Sequence, residues 1–573
     1  MQIDIKNLIG KYTNTKYPIW FISFIALLLD KILRIKEINS FLAKNSDKYN
    51  IDFIDEVFDY LNFSFTILNS DFARIPSEGR LIVVANHPLG GMDGLAILKL
   101  INSVRKDVKI VANSTLSVIE NIKDLIIPFT LDSKIPQKES IQMIANALQN
   151  EECVIFFPAG EVSRLKYWTI KDKKWNKGPV YFAKKYNVPI LPIHIKGKNS
   201  ILFYLIGIFS KFLSMLMLPR ELFYQKNKLI HFTVGNYIPA KNLGNFDNSL
   251  TSNLLRKHVY KIAKNKKGIF KTENNIIHPI DKKILLEEIK KCETLYQTDD
   301  GKKVIITDFL TTPNLITEIA RLREITFRLV GEGTGNKKDT DKYDKYYKHI
   351  ILWDNNELEI IGSYRIGIGK DIYEKYSIDG FYTSTLFSYS NEFLEFLPYS
   401  VELGRSFIQK KYWNSFALEY LWRGMGCYFA KSQDIRYLFG VVSISNMYPD
   451  DAKKLLVYYY KKWYGKELGV NSNNPFILSE KDNHYLSVIF NSEDIKNDYL
   501  TLKQTLKNYG VSIPTLYKNY VELCYKEGVH FLNFGIDEDF GNCIDGFIML
   551  DLHYITEDKK KRYFTLAQET EVS

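Results

Sequence analysis

Two hydrophobic patterns alternate along the first half of the chain and predict strands followed by helices. Short apolar runs, typical of buried strands, are Phe63–Asn69, Leu81–Ala85, Val108–Asn113, Ile126–Phe129, Cys153–Phe157 and Val188–Ile195. Stretches with helical spacing lie at Asp52–Leu61, Leu95–Val104, Lys138–Leu148 and Val180–Tyr186. Because strands alternate with helices, this half is predicted to be an α/β domain whose sheet contains parallel strands.

Two further stretches are apolar enough to meet a membrane. Ile19–Leu29 is short for a span and has basic residues on both sides, so Tyr17–Leu42 is predicted to be an amphipathic helix in the membrane interface. A helix packed on the protein's own core would show the same pattern. Ile201–Leu218 carries only one charge, Lys211, and lies between two predicted strands. We expect an interfacial helix or hairpin there, with a buried core helix as the alternative.

The second half begins a new pattern after the basic, irregular stretch Lys261–Lys282. An amphipathic helix is predicted at Ile316–Leu329, followed by strands at Ile350–Trp353 and Leu358–Tyr364. The predicted division is therefore membrane-interface helices at 1–60, an α/β domain at 61–265, a linker region at 266–305 and a second α/β domain at 306–573.

Charge and cysteine content narrow the class of partner. The chain has 77 Lys and Arg against 66 Asp and Glu, a net charge of +11. This excess suits an anionic membrane surface or an acidic protein; nucleic acid is not expected, because no dense basic block is present. The five cysteines are odd in number, far apart and without a C-x-x-C motif. We therefore expect neither a disulfide framework nor a zinc site, and a reducing compartment is favoured.

The stretch Leu81–Gly94, LIVVANHPLGGMDG, predicts a strand, a tight loop and a helix. That order places His87 at the end of a buried strand and Asp93 at a helix start. A histidine with a carboxylate partner is a proton-transfer pair, since the carboxylate fixes the imidazole tautomer and stabilises the imidazolium. We therefore predict that His87 and Asp93 are catalytic, although an isolated pair of this kind is equally compatible with a structural role.

A second motif, Val154–Arg164, VIFFPAGEVSR, and the strand Val188–Ile195 complete the pattern. Together with NH-x5-D they resemble the glycerolipid (PlsC-like) acyltransferase family over 63–243. Two departures stand out: the family pattern has four residues between His and Asp, and its loop glutamate comes earlier than Glu161. Both departures also occur in the branch that resembles lyso-ornithine lipid and haemolysin-like acyltransferases.

This resemblance implies ester formation from a thioester by direct transfer, with no acyl-enzyme. His87 would be the base for the acceptor hydroxyl and Asp93 its orienting partner. The reaction also needs donors for the oxyanion and the headgroup, which Arg164 and the glycine-rich loops could supply. Glu161 is expected to order the loop or meet a cationic headgroup, and Ser163 is a weak candidate nucleophile. No metal site is predicted.

The second half carries a spaced set of polar residues that resembles the acyl-homoserine lactone synthases, which have the GNAT fold. The pairs are Arg323/Phe327, Asp341/Asp344, Gly362/Arg365 and Glu402/Arg405. The resemblance to ornithine N-acyltransferases is closer and rests on RLREITFRLVGEGTG, ELGRSFIQKKYW, LWRGMGCY and FGIDEDFGNCIDG. Arg423-Gly424-x-Gly426 is too short for the usual CoA-pyrophosphate loop, which favours a carrier-protein donor.

Amide formation needs a deprotonated amine and a cradle for the amino acid. Glu402 is the candidate base or water-holding residue. Arg405 or Arg365 could pair with a substrate carboxylate. Asp341 and Asp344 could hold a side-chain ammonium, or simply pair with neighbouring arginines.

The two resemblances together predict a bifunctional amino-acid-lipid synthase, most simply of ornithine lipid. The second half would N-acylate the amino acid from 3-hydroxyacyl-acyl carrier protein, and the first half would O-acylate the 3-hydroxyl of the lyso-lipid. No bound cofactor is expected; the donors are acyl-acyl carrier protein or acyl-CoA. The partners are acyl carrier protein, membrane lipids and a small amino acid, at the cytoplasmic face of the inner membrane, bound peripherally or monotopically.

Other classes of function stay open on the sequence. One is a lysophospholipid acyltransferase of the 1-acylglycerol-3-phosphate type with a non-catalytic second domain, against which the Glu402/Arg405 pair argues. A membrane-disrupting protein is disfavoured because no repeat or long amphipathic β-pattern is present. The sequence leaves open which amino acid is acylated, the chain lengths and the oligomeric state.

Overall fold

The computed structural model describes residues 34–114, 116, 119–129, 137–166, 169–432 and 434–564. It divides into two compact units, Met1–His278 and Pro279–Ser573. Most of the predicted interfacial helix Tyr17–Leu42 lies outside the described residues; its end belongs to a helix at Ile35–Lys44. Among the helices that are described, none combines the length and apolar character that a membrane crossing requires.

The first unit is built on a seven-stranded sheet. Its strands are β1 (Ser64–Ile67), β2 (Leu81–Ala85), β3 (Val108–Asn113), β4 (Ile126–Phe129), β5 (Cys153–Phe156), β8 (Ile190–Lys196) and β9 (Leu229–Val234); the hairpin β6 (Arg164–Lys166) and β7 (Thr169–Lys171) stands apart from it. The order is β1-β9-β8-β2-β5-β3-β4, and every pairing except β8–β9 is parallel. The central strand β2 is buried along its whole length, as its unbroken apolar run predicts.

Helices cover both faces of this sheet and enclose two apolar cores. They are α1 (Ile35–Lys44), α2 (Asn50–Leu61), α3 (Asn69–Phe72), α4 (Gly91–Asn102), α5 (Lys138–Gln149), α6 (Gly178–Tyr186), α7 (Ile201–Phe209), α8 (Lys211–Leu216), α9 (Leu218–Tyr224) and α10 (Asn248–Ile262). The stretch Ile201–Leu218 is thus divided between short helices, because Ser210 leaves the helical conformation and caps the second one. A single buried core helix is wrong for this stretch, since much of its apolar surface is exposed.

The second unit is built on an eight-stranded sheet of the order β10-β11-β12-β13-β15-β16-β19-β18. The strands are β10 (Glu293–Gln297), β11 (Lys302–Asp308), β12 (Lys348–Asp354), β13 (Glu359–Ile368), β15 (Ser400–Ile408), β16 (Tyr437–Ile444), β18 (Val529–Asp537) and β19 (Cys543–Asp551), with a separate pair β14 (Phe387–Tyr389) and β17 (Val470–Ser472). Only β15 and β16 run parallel, and they pair only over Ser400–Leu403 and Tyr437–Gly440. Beyond those residues the two strands continue without pairing, so a gap opens in the middle of the sheet.

The helices of the second unit pack on this sheet around its own cores. They are α11 (Lys282–Ile289), α12 (Pro313–Leu329), α13 (Gly369–Tyr376), α14 (Asn391–Leu394), α15 (Ala417–Lys431), α16 (Asp450–Tyr464), α17 (Glu480–Ile489), α18 (Ile495–Asn508), α19 (Thr515–Val521) and α20 (Glu557–Tyr563). Part of the region predicted as a linker, 266–305, contributes α11, β10 and the start of β11 to this unit. The four-part division of the chain remains a prediction.

Candidate active sites

In the first unit, His87 and Asp93 meet where β2 ends and α4 begins. Nδ1 of His87 lies 3.0 Å from Oδ1 of Asp93, whose side chain is fully buried. The other carboxylate oxygen of Asp93 accepts the backbone N–H of Leu89 at 2.8 Å. Asp93 therefore holds both the imidazole and the loop between them, and it lies in the first turn of α4, where a negative charge is stabilised.

Two neighbours of His87 fix the shape of this loop. Asn86 exchanges two hydrogen bonds with the backbone of Ile195, at 2.9 and 2.7 Å, and so joins β2 to β8. The ring of Phe157, which follows β5, stacks on the imidazole with centroids 4.2 Å apart. Gly90 has φ = 88°, a conformation that a side chain would strain, and a Cβ there would lie 3.1 Å from Leu218.

A buried carboxylate that the sequence analysis did not single out, Asp172, ties the second motif to the first. Oδ1 of Asp172 accepts the hydroxyl of Ser163 at 2.5 Å and the backbone N–H of His87 at 3.3 Å. Its Oδ2 accepts the indole N–H of Trp175 at 2.8 Å. In addition, the N–H of Ser163 donates to the carbonyl of His87 at 2.7 Å. Ser163 is therefore engaged in holding the loop through both its hydroxyl and its backbone N–H.

Glu161 and Arg164 differ in how far their side chains are engaged. Glu161 lies 3.3 Å from the ammonium of Lys173, and its two predicted roles, ordering the loop or meeting a cationic headgroup, stay predictions. Arg164 donates from Nη1 to the hydroxyl of Ser214 and lies over the ring of Phe203, 5.2 Å from its centroid. Its buried Nε and Nη2 atoms have no hydrogen-bond partner. Those two donors are the part of the guanidinium that a carboxylate or phosphate could bind.

The electrostatics around His87 favour the charged imidazole. Burial lowers the pKa of His87, but the Asp93 carboxylate outweighs burial, and Asp172 adds to its effect, so the pKa lies above the usual value. Burial raises the pKa of Asp172, although its three donors and His87 oppose the rise. An imidazole of this kind can accept a proton and hold it as a stabilised cation.

In the second unit, the predicted arginines and aspartates form one buried ionic cluster. Arg323 on α12 binds both carboxylate oxygens of Asp344, at 3.0 and 2.9 Å. Arg365 on β13 binds Asp341 at 2.6 Å and Asp344 at 3.1 Å. Because the arginine charges outweigh burial, the pKa of Asp344 lies well below its usual value. Of the two predicted roles for these aspartates, the structure shows pairing with arginines.

Two residues that the sequence analysis missed complete this cluster. Asp339 lies 3.2 Å from Nε of Arg323 and 3.6 Å from Nε of Arg405. His349 is fully buried and lies 3.7 Å from Asp344, and burial lowers its pKa to about 3. In the sequence, Asp339 is marked only by its position two residues before Asp341. His349 carries no such signal, because it falls within an apolar strand.

Glu402 lies on β15 with its carboxylate almost completely enclosed. It accepts the hydroxyl of Tyr347, the N–H of Thr383 at 2.7 Å and the N–H of Tyr382 at 3.1 Å. Burial raises the pKa of Glu402, and the hydrogen bonds from Tyr347 and Thr383 oppose the rise in part. A carboxylate whose pKa is raised in this way is better suited to take a proton near neutrality.

Arg405 and Phe327 line the side of the sheet where β15 and β16 separate. Arg405 has φ = 48° and lies over the rings of Tyr382 and Phe540, at 4.7 and 4.9 Å from their centroids. Phe327 packs edge-on against Phe540, with centroids 5.0 Å apart. The site residues predicted in this half therefore lie around one region of the sheet.

The Arg423-Gly424-x-Gly426 motif lies inside α15 and not in a loop. A Cβ on Gly424 would lie 2.2 Å from Val304, and one on Gly426 would lie 2.2 Å from the carbonyl of Tyr563. The glycines therefore allow the helix to pack closely on its neighbours, which explains their presence without a phosphate ligand.

The fold and the sites together define a two-part acyltransferase. The family model for "Acyltransferase" matches residues 20–268, and the model for "Acetyltransferase (GNAT) domain" matches residues 322–423. The predicted fold class, a PlsC-like acyltransferase domain followed by a GNAT-like domain, is confirmed by these matches.

Curated relatives match each part separately. A glycine N(alpha)-acyltransferase of Phocaeicola vulgatus is 31% identical over 302 residues, which are 50% of this chain and 92% of the relative. A lyso-glycine lipid O-acyltransferase of Bacteroides thetaiotaomicron is 29% identical over 256 residues, which are 44% of this chain and 92% of the relative. Because the first relative is matched over almost its whole length, the chain belongs to the family of the glycine N(alpha)-acyltransferase of Phocaeicola vulgatus. A solved CoA-dependent acyl-homoserine lactone synthase, MesI, covers 46% of this chain and 94% of its own, with 10% identity and a TM-score of 0.21.

Proposed function

We propose that this chain makes an amino-acid lipid by two acyl transfers, an amide formed by the second unit and an ester formed by the first. One observation carries the proposal: a single chain matches both an N-acyltransferase and a lyso-lipid O-acyltransferase along nearly the whole length of each. A separate protein carries each name in Bacteroides thetaiotaomicron. Fusion would keep the mono-acylated intermediate close to the second site.

The amino acid that the proposal favours is glycine, in place of the ornithine suggested by the sequence motifs. The N-acyltransferase relatives from both organisms carry glycine in their names. In addition, both carboxylate oxygens of Asp344 are bound by Arg323 and Arg365, so Asp344 is not open to the side-chain ammonium that ornithine would bring. Glycine has no side chain and needs only a site for its carboxylate and its amine.

For the amide-forming step we assign Glu402 the role of base. The amine nitrogen attacks the thioester carbonyl and loses a proton to the base, the C–S bond breaks, and the base returns that proton to the departing thiolate, so that amide and thiol are the products. Glu402 would take the proton of the amine directly or through the Tyr347 hydroxyl that donates to it. Arg365 and Arg405 have buried nitrogen atoms without hydrogen-bond partners, and these are the candidates for binding the glycine carboxylate. Asp341 and Asp344, the second of which Arg323 also binds, hold Arg365 in place. Phe327 packs against Phe540, which in turn lies under Arg405.

For the ester-forming step we assign His87 the role of base. Its Nδ1 faces Asp93, so Nε2 can take the proton of the 3-hydroxyl as the oxygen attacks the second thioester. The proton then passes to the departing thiolate, so that ester and thiol are the products. The acceptor, an N-(3-hydroxyacyl) glycine, called N-acyl glycine from here on, carries a free carboxylate, and the unpartnered Nε and Nη2 of Arg164 would bind it. Glu161 and Ser163 order the loop that presents Arg164.

The donor and the place of action follow from the same proposal. We infer an acyl carrier protein as donor, because the glycine motif of α15 is a helix-packing feature and leaves no pyrophosphate loop at that position. Acyl-CoA is the alternative donor for either step. An acceptor with one fatty chain stays in a bilayer, so the chain would work at the cytoplasmic face of the inner membrane, bound peripherally or monotopically.

The test is expression in a host that lacks amino-acid lipids, followed by mass spectrometry of the total lipids. We expect a new lipid with one amide chain, one ester chain and a glycine fragment ion. His87→Ala should stop at the mono-acylated glycine, and Glu402→Gln should abolish both products. If no amino-acid lipid forms while lysophospholipids are consumed, the single-activity alternative replaces the proposal. An ornithine fragment ion would correct the amino acid alone.

A further inference from the structure

Among the described residues of the first unit, one group of neighbouring apolar side chains is exposed. We call it the α7–α8 surface: Ile201, Leu202, Leu205, Ile208, Phe209, Leu213 and Met215. Phe209, at the end of α7, is 90% exposed, and Ile201 is 75% exposed. Exposed apolar patches of this kind mark sites where another apolar body binds.

The conformation of this segment is built by capping and buried hydrogen bonds. Ser200 caps α7 and Ser210 caps α8, each accepting a backbone N–H of the helix that it begins. At the base, the fully buried carboxylate of Glu221 accepts both the N–H and the hydroxyl of Ser200, each at 2.7 Å. The apolar side chains are therefore held outward by an anchored framework.

The charges of the segment identify the chemistry of the partner. From Lys198 to Lys228 the cationic residues are Lys198, Lys211, Arg220, Lys226 and Lys228. Glu221 is the only acidic residue in that range, and it is buried at the base of the segment. An apolar surface flanked by cations complements the acyl chains and anionic headgroups of a bilayer.

The surface is continuous with the His87 loop. Asn199 donates from Nδ2 to the carbonyl of Pro88 at 3.3 Å, and a Cβ on Gly90 would lie 3.1 Å from Leu218. Arg164 joins the two parts as well, since it binds Ser214 on α8 and lies over Phe203 on α7. A body bound to this surface would therefore lie against a segment that contacts the His87 loop directly.

We propose that the α7–α8 surface inserts into the interfacial region of an anionic lipid bilayer and thereby places the His87 site against the membrane. The proposal rests on the proposed function only in taking the acceptor to be a lipid. A second copy of the chain and an acyl carrier protein are the competing occupants. The bilayer is favoured because the seven residues of the surface are all apolar and the exposed charges of the segment, Lys211 at the start of α8 among them, are cationic.

The test measures binding of the full-length protein to vesicles of phosphatidylcholine with and without phosphatidylglycerol. We expect tighter binding with phosphatidylglycerol, and about tenfold weaker binding for Phe209→Asp, since an inserted phenylalanine loses its apolar burial. Phe246→Asp is the matched control: it is 59% exposed, follows β9 instead of lying on α7 or α8, and should bind as the wild type does. Equal binding of Phe209→Asp and Phe246→Asp would overturn the proposal.

A local probe separates this surface from any other membrane-binding segment. The wild-type protein with its seven tryptophans gives the background emission. Relative to that background, Phe209→Trp should gain a blue-shifted emission with vesicles that brominated lipids quench, whereas Phe246→Trp should add neither effect. The proposal would be overturned if brominated lipids did not quench the added emission of the bound Phe209→Trp protein. It would also be overturned if Phe209→Asp weakened only self-association or carrier-protein binding. No acyl substrate is present, so the result is independent of whether amino-acid lipid forms.

Discussion

Nδ1 of His87 lies 3.0 Å from Oδ1 of Asp93, and that carboxylate is the buried charge on which the first site depends. The contact favours a proton on Nδ1 and leaves the lone pair of Nε2 for the substrate. It also raises the pKa of His87 against the effect of burial. The base is therefore stronger than an ordinary histidine but is available only once the pH exceeds this raised pKa.

Asp93→Asn should reduce O-acylation by roughly a hundredfold or more, the range for loss of general-base catalysis. Without the carboxylate, burial dominates and the pKa of His87 falls. The acidic limb of the rate profile should therefore move to lower pH as the maximum rate drops. The measurement is the rate of ester formation on N-acyl glycine as a function of pH. N-acylation by the same preparation is the internal control, and an unchanged limb would contradict the role of Asp93.

Asp172 should matter for the arrangement of the loop. Asp172→Ala removes the acceptor of the Ser163 hydroxyl, the His87 N–H and the Trp175 indole. Leaving buried donors unpaired costs about 1–3 kcal/mol each, so we expect a lower unfolding midpoint and slower O-acylation. Ser163→Ala removes a single donor and leaves the Asp172 carboxylate in place, so it should lower the unfolding midpoint and the O-acylation rate clearly less. Equal effects of the two substitutions would show that Asp172 acts only through Ser163.

The first site could be predicted from sequence because its chemistry is local. His87 and Asp93 are carried by one strand–loop–helix unit, so hydrophobic pattern and spacing were enough to bring them together. Asp172 could not be found in this way, since it reaches His87 only through the fold of the β6–β7 region. A lone aspartate between lysines looks like a surface residue in the sequence.

In the second site, the contacts between the predicted residues could not be predicted from the sequence. Pairing of the aspartates with arginines was one of their two predicted roles, but which arginine binds which aspartate was not predicted, because Arg323, Asp344 and Arg365 lie on separate elements. Ion pairing between such residues depends on strand register, which periodicity alone does not give. The sequence showed that Arg423-Gly424-x-Gly426 is too short for the usual CoA-pyrophosphate loop, but the packing role of its glycines in α15 is seen only in the structure, because close packing of a helix and phosphate binding both call for glycine.

Asp344→Asn should destabilise the second unit strongly. It leaves Arg323 and Arg365 buried with part of their countercharge removed, and breaking a buried pair in this way costs about 3–5 kcal/mol. Asp450→Asn is the matched control, since Asp450 is 85% exposed and pairs with Lys453 at the surface, where the loss should be below about 1 kcal/mol. The measurement is the denaturant concentration at the unfolding midpoint of each variant, with N-acyltransferase activity as the signal. Similar midpoints for the two variants would refute the structural role of the cluster.

Glu402→Gln should abolish N-acylation while His87-dependent O-acylation of supplied N-acyl glycine continues. The substitution preserves the size of the side chain but removes the charge and the base. Tyr347→Phe removes only the hydroxyl that donates to Glu402 and tests the route of the proton. If Glu402 acts directly, Tyr347→Phe should retain most of the rate, whereas a relay through the hydroxyl predicts a loss close to that of Glu402→Gln. Full activity of Glu402→Gln would exclude it as the base.

Gly424→Ala should destabilise the second unit although alanine is the better helix former. The new Cβ would lie 2.2 Å from Val304 on β11, so α15 must shift away from the sheet. Overpacking of this kind costs about 1–3 kcal/mol, against a helix-propensity gain of about 1 kcal/mol. Gly404→Ala is the control, because a Cβ there meets nothing within 4 Å. A lower unfolding midpoint for Gly424→Ala alone would support helix packing, whereas unchanged stability with weaker acyl-CoA binding would contradict it and indicate that the glycines contact the donor.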